Sequence, residues 1–111
     1  MEQIEKGEVL SQQSSDRMLR TLGRQYWDEV AISQIPPNIF VASKHGCLDE
    51  CRNEILYVNA PNPYIFSIFT KNNKDQSWTH TNEAWTMARK LSSFLFHYFE
   101  PKDKWKKPSD L

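Results

Sequence analysis

The sequence lacks an excess of charge of either sign. Its 111 residues hold 14 Lys and Arg against 14 Asp and Glu, so the formal net charge is zero. A protein without net charge has no overall field that would attract nucleic acid or an acidic membrane surface, and nucleic acid is therefore not an expected partner. The length fits one domain of the usual size, about 100–200 residues. Residues 1–111 are predicted to form a single domain with an ordered core over about 12–100.

Long apolar runs are also missing. No stretch approaches the roughly 20 apolar residues that a membrane-spanning helix needs, so no membrane span is predicted. The first ten residues, Met1 to Leu10, are acidic and polar. They do not resemble a secretory signal peptide and are expected to be a tail or a connection. The chain leaves its own localisation open.

Cysteine is scarce, since the chain contains only Cys47 and Cys51, four positions apart. A structural zinc site needs four ligands and only His45 lies close by, so neither a metal site nor a cofactor is predicted. A disulfide across a tight hairpin would require an oxidising compartment. Two reduced cysteines without a special role are the interpretation we favour. A Cys–His nucleophile pair is disfavoured, because no third group that could orient the histidine is visible.

Two helices are predicted from apolar residues at helical spacing. The serines and the aspartate at 14–16 are good N-caps, and the pattern after them places a first helix over about 15–26. Thr81 is expected to cap a longer helix that ends before Pro101, because proline cannot continue a helix. The apolar stripe of this longer helix comprises Ala84, Trp85, Ala88, Leu91, Leu95, Phe96 and Phe99.

Three short apolar runs between the helices are predicted to be β-strands. They cover residues 39–44, 54–58 and 64–70, and a polar turn region over 46–53 contains both cysteines. Short connections make neighbouring strands antiparallel. The expected fold class is α+β: a three-stranded antiparallel sheet packed by a long C-terminal helix and a shorter N-terminal helix.

The third predicted strand is apolar on both faces. Tyr64, Phe66 and Ile68 point one way, while Ile65 and Phe69 point the other. A sheet with two apolar faces needs a cover on each, and the shorter helix is too small to cover the second face fully. This favours a larger assembly, either a homo-oligomer or a chain completed by a missing N-terminal half. The alternative is a compact small domain in which the two helices suffice.

The run from Phe40 to Gly46 resembles the Lys-Thr-Gly strand of class A β-lactamases and penicillin-binding proteins. The elements around it also follow the family's order, over roughly residues 10–99. The matching segments are Ser14-Ser15 at a helix start, Ile35-Pro36-Pro37 in a loop, Asn53-Glu54-Ile55-Leu56-Tyr57-Val58 as the next strand, Pro61-Asn62-Pro63-Tyr64 in a turn and the terminal helix after Thr81. The chain is thus similar to the C-terminal segment of these serine hydrolases.

The resemblance implies specific roles. Members of the family form an acyl-enzyme through the serine of a Ser-x-x-Lys motif and then hydrolyse it. Carried over by position, Lys44 would supply positive charge towards the substrate carboxylate, and His45 would replace the threonine that hydrogen-bonds it. Gly46 would allow close approach of the backbone to the substrate. The backbone N–H of Cys47 would form half of the oxyanion hole, which stabilises charge that develops in the transition state.

The attacking group of that chemistry is absent from the sequence. No serine is followed three positions later by a lysine, and there is no Ser-Asp-Asn or Ser-x-Asn box. Oxyanion donors without a nucleophile do not carry out acyl transfer. We therefore expect the C-terminal portion of a β-lactamase-like hydrolase, inactive alone, whose substrate is a β-lactam or a peptidoglycan peptide. The alternatives are a non-catalytic binding or dimerisation module and an unrelated small α+β domain.

Overall fold

The computed structural model describes residues 1–23 and 29–108. Its helices are α1 (Glu2–Glu5), α2 (Gln12–Leu22) and α3 (Glu83–Phe99), with a 3-10 helix at Ala31–Gln34. Three strands, β1 (Phe40–Leu48), β2 (Cys51–Asn59) and β3 (Tyr64–Ile68), form an antiparallel sheet in the order β1-β2-β3. The predicted α+β class with a three-stranded antiparallel sheet is confirmed.

The first hairpin is longer than the sequence indicated. The polar region over 46–53 was expected to be a turn, but β1 continues to Leu48 and β2 begins at Cys51. Only Asp49 and Glu50 lie between the paired ends of the strands. The strands extend here because ladder hydrogen bonds satisfy the backbone whether or not the side chains are apolar. The third strand is shorter than expected, ending at Ile68.

The helix starts also differ from the expected ones. The N-cap of α2 is Ser11, whose Oγ accepts a hydrogen bond from the Ser14 N–H at 3.2 Å, so the predicted caps at 14–16 lie inside the helix. The N-cap of α3 is Asn82 rather than Thr81. Both changes are local, because several neighbouring polar residues are equally competent caps. The predicted end of the first helix, at residue 26, lies outside the described residues.

Two further expectations about the chain ends can be compared with the structure. Residues 2–5 form the short helix α1, whereas a tail or connection was expected. At the other end, α3 stops at Phe99, before Pro101, as the sequence indicated. Among the described residues, no helix is both long enough and apolar enough to cross a membrane.

The core lies on one face of the sheet, which we call the inner face. There Leu56, Val58 and Phe96 are fully buried between the sheet, α3 and the 3-10 helix. Tyr64 of β3 stacks on Phe99 of α3 with ring centroids 4.5 Å apart. The stripe predicted for α3 holds with one correction: Leu91 is 40% exposed, because it lies on the helix face turned away from the sheet.

The opposite, outer face of the sheet is covered only in part. At one end Ala42 and Tyr57 are buried, and α2 approaches closely enough that a Cβ on Gly23 would clash with the Phe40 ring. Towards β3 the cover ends, since Ile65 and Phe69 remain 42% and 68% exposed. Both faces of β3 therefore carry apolar side chains, but only one of them is packed within the described chain.

Candidate functional site

The edge of β1 that faces away from β2 is the candidate site, and we call it the open edge. The hydrogen bonds of the β2 main chain show which main-chain groups of β1 point to this edge. The Arg52 N–H donates to Thr70 Oγ1 at 2.9 Å, and the same hydroxyl donates to the Arg52 carbonyl at 3.0 Å. Thr70 follows β3, so both main-chain groups of Arg52 point away from β1.

This fixes the direction of the Cys47 backbone. Cys47 stands directly opposite Arg52 in the β1–β2 register. In an antiparallel ladder, opposite residues either exchange both hydrogen bonds or exchange neither. Because Arg52 directs its groups towards β3, the N–H and carbonyl of Cys47 point to the open edge of β1.

Lys44 brings a positive charge to the same edge. Its side chain is exposed, and Nζ donates to the His45 carbonyl at 2.7 Å. That carbonyl lies two residues before Cys47, so the period of the strand directs it the same way. An ammonium group and a main-chain N–H therefore lie along one strand edge, an arrangement suited to an anionic or carbonyl-bearing molecule.

Gly46 lies between these groups on the exposed part of β1. A Cβ built at this position would meet no heavy atom of the described residues within 4 Å. Packing among those residues therefore does not demand glycine here. The expected role, close approach of a substrate to the backbone, stays a prediction.

The His45 side chain lies mostly buried on the inner face. Its Nε2 is 3.5 Å from Glu54 Oε1, and the side chains are 11% and 3% exposed respectively. Glu54 Oε2 accepts a hydrogen bond from the Ala31 N–H at 2.9 Å. Burial raises the pKa of the Glu54 carboxyl, while His45 and the N–H groups of Ala31 and Ile32 oppose this rise. The direct contact of His45 with a substrate carboxylate stays a prediction.

Arg52 was not singled out from the sequence, yet it organises the end of the hairpin. It is 2% exposed, and its guanidinium carbon lies 3.9 Å from the Trp78 ring centroid and 4.6 Å from that of Trp85. One guanidinium nitrogen donates to the carbonyls of Asp49 and Gln76. The sequence offers no signal for this cluster, because the partners are 26 and 33 positions from Arg52 in the chain.

The two cysteines are placed on opposite faces of the hairpin. Cys47 pairs with Arg52, whereas Cys51 pairs with Leu48, the next residue along β1. Side chains of successive strand residues point to opposite faces, so the two sulfur atoms cannot meet without a slip in register. Both cysteines are free, and no group of three or more His, Cys, Asp or Glu side chains able to hold a metal occurs among the described residues.

We therefore expect both cysteines to remain thiols in air-saturated buffer. A thiol-specific reagent added to the denatured, unreduced chain should titrate two thiols per molecule, and the intact mass should not change on reduction. Cys51→Ala is the control and should titrate one. A mass lower by two hydrogens in the unreduced protein would contradict the register described above.

Comparisons with known proteins identify a sequence family and a shared fold. A sequence model of the beta-lactamase enzyme family matches residues 1–99. No significant match was found among curated proteins. Many solved structures share the fold, and the chain spans about 37% of the length of the first of them.

Three of these structures illustrate the likeness. A mutant of PBP-A, solved as an acyl-enzyme complex with penicillin G, is 22% identical, with 91% of this chain and 37% of that chain covered at a TM-score of 0.79. A β-lactamase from Sphaerobacter thermophilus is 21% identical, with coverages of 90% and 37% and a TM-score of 0.74. A class A β-lactamase from Bacteroides cellulosilyticus is 15% identical, with coverages of 87% and 38% and a TM-score of 0.68. At these identities the likeness concerns the fold.

Proposed function

The chain belongs to the beta-lactamase enzyme family, and from this premise we propose that it supplies the substrate-binding edge of a serine hydrolase whose nucleophile comes from other polypeptide. The proposed chemistry is acyl transfer and hydrolysis on a β-lactam or a D-alanyl-D-alanine amide. By this proposal the chain forms the C-terminal portion of the active fold and is inactive alone.

The observation that carries the proposal is the geometry of the open edge of β1. The Cys47 N–H points outward, and the Lys44 ammonium is held on the same edge by the His45 carbonyl. A main-chain N–H can stabilise the oxyanion of a tetrahedral intermediate, and a nearby cation can hold a substrate carboxylate. These are the roles that the family resemblance assigns to Lys44 and Cys47.

The sequence context and the burial of the serines support a nucleophile from outside the chain. None of the serines in the sequence precedes a lysine at the third position. Ser15, Ser43 and Ser92 are also fully buried, and Ser92 Oγ donates to the Ala31 carbonyl at 2.6 Å. A hydroxyl that is buried within the fold cannot attack a molecule bound at the open edge of β1.

The exposed apolar surface supports a polypeptide partner. On α3, Met87, Leu91, Phe94 and Tyr98 are each at least 40% exposed. Their spacing of four, three and four residues places them on one helix face. A soluble helix with apolar residues on the face opposite its core stripe has a second surface to bury. Since the chain spans 37% of PBP-A, the occupant that we propose is the polypeptide that completes this fold, whether in the same chain or in another.

The test is turnover of a chromogenic β-lactam by the chain with and without that polypeptide. The isolated chain should show no turnover and no labelling by a fluorescent penicillin. Co-purified with a polypeptide from the same organism that carries Ser-x-x-Lys, it should show both, with the label on the added polypeptide. Changing that serine to alanine is the control and should abolish the label.

Two outcomes would contradict the proposal. Turnover by the isolated chain would show that it contains its own nucleophile. A stable complex that neither binds the fluorescent penicillin nor hydrolyses β-lactams would favour the alternative, a non-catalytic binding or dimerisation module.

A further inference from the structure

Glu54 is a buried carboxylate that joins three parts of the molecule. It lies on β2, 3% exposed, with one oxygen bonded to the Ala31 N–H of the 3-10 helix and the other 3.5 Å from His45 Nε2 on β1. An isolated buried carboxylate is costly unless it is paired and hydrogen-bonded. The desolvation cost of burying Glu54 is therefore offset by its contacts with Ala31 and His45, and those contacts constrain the residues that make them.

One end of this arrangement is rigid. Ala31 is fully buried, with its N–H bonded to Glu54 and its carbonyl accepting from Ser92 Oγ at 2.6 Å. α3 and β2 thus hold the same residue of the 3-10 helix from two sides. The carboxylate of Glu54 therefore has a fixed position, and groups that bind it are oriented by it.

The other end is the open edge of β1. The His45 ring faces Glu54. The His45 carbonyl accepts a hydrogen bond from Lys44 Nζ at 2.7 Å. Cys47, whose N–H points outward, follows two residues later on the same strand. The imidazole is thus the link between the fixed carboxylate and the main-chain segment that presents the N–H and the ammonium.

Charged and titratable groups of the described residues lie on each element around this pair. Arg52 on β2 and Cys47 on β1 share the inner face, and the 3-10 helix contributes only backbone N–H groups. From α3, Arg89 contacts the His80 carbonyl, and His97 contacts the carbonyls of Ser93 and Trp105. Glu29, before the 3-10 helix, is exposed and lies near Arg89.

We propose that Glu54 is a positioning residue for the open edge: its ionised carboxylate attracts the His45 imidazole and thereby steadies the main chain from His45 to Cys47 in the direction that the ladder with β2 already fixes. Protonation of Glu54 removes the charge that holds the ring, so the geometry of the edge depends on pH. This deepens the proposed function, because it concerns the strand on which substrate would bind, but it is a property of the chain itself.

The test is an NMR titration of the isolated, isotope-labelled chain. The Glu54 side-chain carboxyl carbon should titrate with a midpoint above the ordinary value of 4.5, because burial raises its pKa. The Cys47 amide should show a transition with the same midpoint. In His45→Gln the Glu54 midpoint should move further upward, since His45 opposes the rise, and the Cys47 transition should be lost.

Two more variants keep the test decisive. Glu50→Gln changes an exposed carboxylate in the hairpin turn and should leave the Cys47 transition unchanged. Glu54→Asp keeps a carboxylate but withdraws it by one methylene, so the aspartate should titrate without shifting the Cys47 amide signal. The proposal would be overturned if the Cys47 amide chemical shift did not change as Glu54 titrates. It would also be overturned if the shift changed by the same amount in His45→Gln. Neither result would bear on the β-lactam assay, so failure of this proposal can be told apart from failure of the proposed function.

Discussion

Cys47→Pro will lower kcat/KM for a β-lactam by about 10²–10³-fold in the reconstituted hydrolase, the effect seen when one oxyanion donor is removed. Proline has no N–H, so the change deletes the proposed donor itself. Because that N–H points to the open edge, no ladder hydrogen bond to β2 is lost. Edge strands tolerate proline for this reason. Steady-state kinetics on the purified complex measure the effect.

Cys47→Ala is the matched control for that experiment. It removes the thiol and keeps the N–H, so its kcat/KM should stay close to that of the unmodified complex. Equal activity of the two variants would show that the Cys47 N–H is not an oxyanion donor. Circular dichroism of the proline variant should show a folded chain, and an unfolded one would mean that the N–H belongs to the β1–β2 ladder.

Phe96→Ala will lower the free energy of unfolding by about 3–5 kcal/mol, the usual cost of emptying a buried aromatic site. Phe96 is 0% exposed and lies in the core between α3 and the sheet. Native proteins are stable by only about 5–15 kcal/mol, so this loss would remove a large fraction of the total stability. Urea denaturation followed by tryptophan fluorescence measures the change.

Phe94→Ala is the control for the core prediction, on the same helix and with the same residue type. Phe94 is 68% exposed, and surface substitutions usually change stability by no more than about 0.5 kcal/mol. The two variants together separate the core face of α3 from its exposed apolar face. Similar losses in both would contradict the assignment of these faces.

The family resemblance rested on particular residues of the sequence, and the comparisons confirm it. Lys44-His45-Gly46 within an apolar run, followed in order by the strand after Asn53 and a terminal helix, is a local pattern. Such a pattern can be recognised from the sequence because the periodicity that marks a strand or a helix involves only residues close together in the chain. The same reasoning found the end of α3 before Pro101 and the inner face of β3.

Other features could not be read in this way. The extent of β1 through Gly46 to Leu48 came from pairing with β2, since the polar residues there have no apolar pattern to follow. The exposed position of Leu91 depended on which face of α3 meets the sheet. Nothing in the sequence brings Arg52 between two tryptophans, or Glu54 to the 3-10 helix.

The sequence by itself determined the kinds of elements and their order, and it contains no Ser-x-x-Lys motif within its 111 residues, because these features depend on local composition and spacing. The tertiary structure decided which way each group on β1 points. A slip of one residue in the β1–β2 register would turn the Cys47 N–H into the ladder and move His45 away from Glu54. That register accompanies the two-residue turn and the shared burial of inner-face side chains of β1 and β2, and the contacts of Arg52 with Thr70 show which groups of β2 turn away from β1.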